Sequence, residues 1–293
     1  MRYHNRMFAQ PDLHSHSTAS DGTLSPQDLV KRAAVAGVHM LSLTDHDTTE
    51  GIAEACLAAG ETGLTLIPGV EISANWGGRT VHILGLGVDI TVPTLQEGLE
   101  RLRNHRIWRA EEIGRRLARD GIEGAFEGAQ AFSNGRLVGR THFARFLVQH
   151  GHAQSVRDVF KHYLVKGKPG HVSGDWAAMD EAVTWIRGAG GQAVIAHPAR
   201  YGFTRIRMMR MIGEFKEQGG EGLEVVSGSH SLDEVHTFAR HAREQRMLAS
   251  AGSDFHGPEN PYVELGRLPP LPDGCVPIWR DWGPLQMSRV ASV

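Results

Sequence analysis

Short apolar runs alternate with amphipathic stretches through the first part of this chain, and the alternation predicts strands separated by helices. An apolar run ending at His14-Ser15-His16 is followed by Met40–Thr44, by Leu64–Val70 ending in Glu71, and by Val81–Val88. Side chains two apart on a strand share a face, so His82, Leu84 and Leu86 point together. Between the runs, Ser25-Pro26 opens a helix with an N-cap and a proline at its first position, and Gly37 closes it. Leu29, Val30, Ala33 and Ala34 form its buried stripe. Thr49 is expected to cap a second helix that ends near Gly60.

The rhythm then changes. Residues 94–170 are rich in Arg, Glu, Ala and His and carry helical spacing without a convincing strand, over Thr94–Asp120, Thr141–His150 and Ser155–Tyr163. Strand–helix alternation resumes at Ala193–Pro198, Leu223–Val226 and Met247–Ala251. Seven of the thirteen prolines fall between Pro258 and Pro284, which predicts an irregular C-terminal wrap. Seven strands mostly followed by helices argue for an α/β barrel over residues 8–93 and 171–293, with 94–170 as a helical insertion covering the active site.

Composition adds a charge asymmetry. The chain has a formal net charge of -2, yet Arg101–Lys168 holds fourteen Lys/Arg against six Asp/Glu. A basic module on an otherwise acidic protein fits either a phosphate-bearing substrate or a solvated helical face. Two cysteines, Cys56 and Cys275, exclude a thiolate-rich metal site, and Cys56 reads as a small core residue. No apolar run approaches a membrane span, so the expected compartment is the cytoplasm.

The seventeen histidines make imidazole and carboxylate the expected ligand set. In a barrel, functional groups gather at the C-terminal ends of strands. His14, His16, His46, Glu71, His82, His197, Asp254 and His256 cluster there in the sequence reading, with His82 fitting least well because it lies early in its strand, and Asp21 follows the first pair as a ninth candidate ligand. His14-x-His16 and Asp254-x-His256 each place two donors on one side. Nine such residues exceed the need of one tetrahedral ion and point to two or three. Carboxylates bridge ions readily, which suits Glu71 and Asp254. Asp45 is expected to orient an imidazole from behind, and Asp47 to cap or turn the chain.

The set His14-x-His16, Asp21, Thr44-Asp45-His46, Gly69-Val70-Glu71, Val81-His82, Ala196-His197-Pro198 and Ser253-Asp254-x-His256 resembles the polymerase-and-histidinol-phosphatase (PHP) superfamily over almost the whole chain. The resemblance implies a distorted seven-stranded α/β barrel and a trinuclear centre that hydrolyses phosphoesters. Gly139–Arg145, Gly167–Gly170 and Val226–Ser231 resemble one subfamily in particular. It comprises 3′,5′-nucleoside bisphosphate phosphatases, some of which act as 5′-to-3′ exoribonucleases on 5′-monophosphorylated RNA. By position, the resemblance implies one ion on His14, His16, Glu71 and Asp254, a second on Glu71, His82 and His197, and a third on Asp21, His46 and His256. It implies manganese, although spacing alone admits zinc or iron. Asp254, His256 and His46 are the expected catalytic groups.

Substrate contacts are expected from Arg140, whose guanidinium can hold a second phosphate bidentately, with Thr141, His142, Lys168, Ser229 and His230. Packing is an equal alternative for His142. Arg205 is a weaker candidate, and Trp76 either stacks a base or packs on its own barrel. The expected substrate is a nucleoside bisphosphate or a 5′-phosphorylated RNA end, with no membrane and no protein partner implied. Two alternatives remain at this point: a different phosphatase, such as one acting on histidinol phosphate, or a non-catalytic metal- or RNA-binding module.

Overall fold

A computed structural model describes residues 11–133 and 137–282. The elements run α1 (Pro26–Val35), β1 (Met40–Leu43), α2 (Ile52–Thr62), β2 (Thr65–Trp76), β3 (Arg79–Leu86), α3 (Pro93–Arg119), α4 (Ala125–Phe132), α5 (Arg140–Gln149) and α6 (Val156–Val159). A π-turn, Phe160–Leu164, follows α6, and then come β4 (Ala177–Ala178), α7 (Met179–Gly188), β5 (Gln192–Ile195), a 3-10 turn (Pro198–Tyr201), α8 (Arg205–Glu217), β6 (Gly222–Ser227), α9 (Leu232–Gln245) and β7 (Leu248–Gly252).

The strands pair in the order β1-β2-β3-β5-β6-β7, with β4 beside β2. Residues 12–16 form the missing rung between the two ends of this path. Asp12 N–H donates to Met40 O and Thr44 N–H to Ser15 O on one side. Leu13 N–H donates to Ala251 O and His16 N–H to Phe255 O on the other. The sheet thereby curls into a distorted barrel, as expected. The first rung is extended backbone rather than a regular strand; residues 8–10 lie outside the described residues.

Two departures from the sequence expectation matter for the site. β2 does not end at Glu71 but runs on to Trp76, because it turns at Gly77-Gly78 into an antiparallel hairpin with β3. β3 is antiparallel to β5 as well. A reversed strand brings its first half to the end where parallel strands finish, which is why His82 fits a rule it seemed to break. The second departure is α2: its N-cap is Gly51, without a side-chain bond. Thr49 instead accepts from Gln96 Nε2 at 3.0 Å.

Inside the barrel, Ile67 lies two pleats below Glu71 on β2, and Leu84 and Leu86 lie below His82 on β3. With Leu13, Val194 and Ala196 they form a buried apolar plug, closed by Ile278 from the C-terminal wrap. The larger cores lie outside the sheet, against α7–α9 and against α1 and α2. Helices α3–α6 share a further cluster built on Ile113, Leu117, Phe143, Leu147 and Leu164. Among these, α4 was not distinguished in the sequence. No described helix is long and apolar enough to cross a membrane.

Candidate metal centre

The apolar plug has a polar lid. All nine candidate ligands converge above it, although they come from seven places in the chain. His14 Nε2 lies 3.1 Å from His16 Nε2, 3.4 Å from Glu71 Oε2 and 3.4 Å from Asp254 Oδ1. His16 Nε2 lies 3.3 Å from Glu71 Oε2 and 3.2 Å from Asp254 Oδ1. Two donor triangles, one closed by Glu71 and the other by Asp254, thus share the His14–His16 edge, and donors spaced this closely can sit at about 2.0 Å from a common ion, the bond length of a divalent metal to imidazole or carboxylate.

Glu71 stands at the middle of the array. Its Oε1 faces His82 Nδ1 at 2.8 Å and His197 Nε2 at 2.9 Å, while Oε2 faces His46 Nδ1 at 2.8 Å. That Oε2 is fully buried, has three imidazole nitrogens within 3.4 Å and yet makes no hydrogen bond of acceptable direction among the described residues. A buried carboxylate oxygen left without a hydrogen bond among so many nitrogens is a donor atom open to a cation. Four groupings have mutually close donor atoms: His16, Asp21, His46 and His256; His14, His197 and Asp254; His14, His16 and Glu71; and His46, Glu71 and His82. Buried oxygen and imidazole donors in this array fit divalent cations.

Charge agrees with that fit. Burial works against ionisation of Glu71, but the imidazoles of His46, His82 and His14 hold it well below the usual carboxylate range. Asp254 is held low despite burial, by Arg200 first and then by His14 and His256. Asp21 is held low by His256 and His46, again against burial. Burial also opposes protonation of His16, yet its neighbours Asp254 and Glu71 push it up to about 10. Burial drives His197 down to about 4. Three ionised carboxylates enclosed this closely call for positive charge between them.

The strands and turns explain the convergence. His14 and His16, two residues apart, share one side of the first rung, and Asp254 takes a left-handed φ of 56° two residues after β7, its N–H bonded to His14 O at 2.8 Å. Gly252 is required here, because a Cβ would stand 2.3 Å from His14 Cβ. Gly252→Ala should therefore destabilise the fold by about 1–3 kcal/mol, measurable by urea denaturation; an unchanged midpoint would show that the rung can move aside.

Other expectations are redirected. Asp45 backs an imidazole indirectly, since the Ser20 hydroxyl it accepts from lies 3.5 Å from His16 Nδ1. Its carboxylate accepts from Ser17 N–H at 2.7 Å and from the Ser17 and Ser20 hydroxyls at 2.6 Å, so it organises the turn that carries Asp21. Asp47 is more than a turn residue: it accepts from Ser73 N–H at 2.7 Å and pairs with Arg106 at 2.6 Å. Thr141 donates to Asp21 Oδ2 at 2.8 Å. His142 is buried and uses Nδ1 to accept from Gly139 N–H, closing the start of α5. Ser229 accepts from Arg200 Nε at 3.1 Å. The His230 ring stacks on Phe238 of α9, and Lys168 is exposed without a contact to the cluster among the described residues. Trp76 donates to Glu214 and packs on Phe203, and Arg205 pairs with Glu244, so both belong to the outer layer.

Arg140 lies above this lid with Arg106 and Arg109. Arg106 and Arg109 sit 5.1 and 5.4 Å from the Trp176 ring, and Arg140 sits 5.4 Å from the Phe160 ring. Burial, with Arg140 and Arg106 nearby, pushes Arg109 down to about 9. No carboxylate lies within ion-pair distance of Arg109 or Arg140 among the described residues. Arg106 also lines a cleft with Ser20, Asp21, His46, Leu137 and Gly139, which joins the cations to the imidazole cluster. Sequence reasoning missed Arg106, Arg200 and Glu224. Only Glu224 left a signal, as a carboxylate inside the apolar run Leu223–Val226.

The PHP domain family model matches residues 12–171. A 3′,5′-nucleoside bisphosphate phosphatase of Chromobacterium violaceum is 49% identical over 275 residues, covering 94% of this chain and 96% of the relative. The 5′-3′ exoribonuclease Rnm of Escherichia coli is 46% identical over 273 residues, covering 92% and 93%. Among solved structures, an amidohydrolase from C. violaceum with bound sulfate and no metal superposes with a TM-score of 0.90 at 48% identity, covering 96% of this chain and 97% of its own.

Proposed function

This chain belongs to the PHP domain family, and from that premise we propose that it is a metal-dependent phosphoesterase removing the 3′-phosphate of nucleoside 3′,5′-bisphosphates. The same chemistry on a 5′-monophosphorylated RNA end releases 5′-mononucleotides, because both reactions break the P–O3′ bond beside a 5′-phosphate. The observation that carries the reading is the crowding of His14, His16, Glu71 and Asp254 donors, with five donor–donor distances of 3.1–3.4 Å. The relatives' names supply the substrate class.

In this reading His14, His16, Glu71 and Asp254 hold one ion, Glu71, His82 and His197 a second, and Asp21, His46 and His256 a third, with manganese as the metal. Bound divalent metal lowers the pKa of water and offsets phosphoryl charge. The chain's own groups do the rest. The apolar plug excludes water from below, which strengthens every charge interaction above it. Arg200 lies 2.6 Å from Asp254 and balances the carboxylate's charge. Asp254 works with His46 and His256, which are 13% and 28% exposed and form the open rim toward the departing ribose oxygen. Arg140, aided by Arg109, binds the 5′-phosphate.

Residues 94–170 act as the insertion that covers the site, supported by the separate apolar cluster of α3–α6 and by Thr141 and Arg145 reaching Asp21. We assign the enzyme to the cytoplasm, since both cysteines are free thiols.

The deciding experiment is phosphate release from adenosine 3′,5′-bisphosphate, with manganese and with chelator, beside histidinol phosphate. Metal-dependent formation of 5′-AMP from the bisphosphate alone is expected. Turnover of histidinol phosphate instead would overturn the substrate, and turnover that survives chelation would overturn the metal.

A further inference from the structure

One buried carboxylate at the centre belongs to none of the proposed ligand groups. Glu224 on β6 is fully buried, with Oε1 2.9 Å from His14 Nδ1 and Oε2 accepting from His197 N–H at 2.6 Å. The β6–β7 register slips between Glu224 and Val226, and such a bulge re-aims a side chain that regular pleating would send elsewhere. Gly252 leaves room for it, since a Cβ there would also lie 2.9 Å from Glu224 Oε1. His197, meanwhile, carries a φ of 26°, a strained conformation for a residue with a side chain. Its N–H bond to Glu224 holds the chain in that turn.

Glu224 Oε1 is an acceptor at hydrogen-bond distance of His14 Nδ1, and the pairing therefore favours the tautomer with the proton on that nitrogen. The lone pair of His14 is then confined to Nε2, the atom that faces His16, Glu71 and Asp254. We propose that Glu224 is a positioning residue for the metal centre: it fixes His14 as the Nδ1–H tautomer and holds His197 in its strained turn, so that both rings present Nε2 inward. Simple space filling does not account for it, because burying a carboxylate is unfavourable unless its hydrogen bonds offset the lost hydration. The inference rests on the metal-centre reading above.

Glu224→Gln separates the possibilities. An amide offers one acceptor and one donor, so it cannot accept from both His14 Nδ1–H and His197 N–H. With its nitrogen toward His14, the ring is driven to the Nε2–H tautomer and loses its inward lone pair. Calorimetric titration of the full chain with manganese should show affinity weaker by about 10–100-fold, while the metal-free variant melts within about 5 °C of wild type. A lower melting temperature with unchanged manganese affinity would mean a purely structural role and overturn the proposal. Should the variant not fold, long-range 15N–1H NMR of the zinc-loaded wild type tests the same point. A proton on His14 Nδ1 with zinc on Nε2 is expected, and zinc on Nδ1 overturns the proposal. A wild type that binds neither manganese nor zinc would instead overturn the metal centre itself.

Discussion

Asp254→Asn should lose one metal equivalent and on the order of a thousandfold in kcat, about 4 kcal/mol of transition-state stabilisation, while the barrel stays folded. Asp254 Oδ1 lies 3.4 and 3.2 Å from the Nε2 atoms of His14 and His16, and Oδ2 meets Arg200. Asparagine removes the negative charge that balances a cation there. Whichever way its amide turns, an N–H₂ group faces either Arg200 or the two imidazoles. The fold is spared for a specific reason: the residue sits at a φ of 56°, a conformation asparagine adopts as readily as aspartate. Its N–H bond to His14 O is also kept. Metal content by mass spectrometry, kcat on adenosine 3′,5′-bisphosphate and the metal-free melting temperature should be read together. Full metal content with unchanged kcat would remove Asp254 from the centre; loss of the melting transition would mean that its role is structural.

What could be read from the chain follows from which constraints are local. Strand positions were legible because a buried run such as Leu41–Leu43 or Val194–Ile195 leaves an apolar signature, and α1 because Ser25 and Pro26 form a cap that works without the rest of the protein. The nine ligand candidates were legible for a related reason. Imidazoles and carboxylates at the ends of apolar runs have few structural reasons to be there, and the topology then brings them to one end of the barrel. Direction was not legible. Nothing in Arg79–Leu86 distinguishes a parallel from an antiparallel strand, so the placement of His82 required the hairpin. The fate of Asp45 was hidden as well, since its partners Ser17 and Ser20 are ordinary turn residues until the chain folds. Arg200 and Arg106 are two among many arginines, and only their neighbours Asp254 and Asp47 set them apart.

The same distinction governs substrate recognition, where the sequence named six candidates of different fates. His142 is committed to the N-terminus of α5, and His230 to Phe238 and the Val225 carbonyl. Thr141 and Ser229 are hydrogen-bonded to Asp21 and Arg200. Arg140 differs from these, because its charge has no answering carboxylate within ion-pair distance among the described residues.

Arg140→Ala is therefore the substitution expected to separate recognition from chemistry. Burial first, and then the neighbouring Arg106, lower the Arg140 pKa, with only Asp21 opposing. An enclosed cation beside other cations is destabilising by itself, and a phosphate between them removes that penalty. Losing one charge-assisted contact of about 2–3 kcal/mol should reduce kcat/KM for adenosine 3′,5′-bisphosphate by about a hundredfold. Hydrolysis of a simple monoester such as p-nitrophenyl phosphate, which has no second phosphate, should change by less than about threefold. The metal-free protein should be no less stable, because the substitution relieves repulsion while giving up one contact with the Phe160 ring. Equal losses on the two substrates would place Arg140 at the reacting phosphoryl group. No loss on either would return the 5′-phosphate anchor to Arg106 and Arg109, whose separate alanine variants would then carry the hundredfold effect.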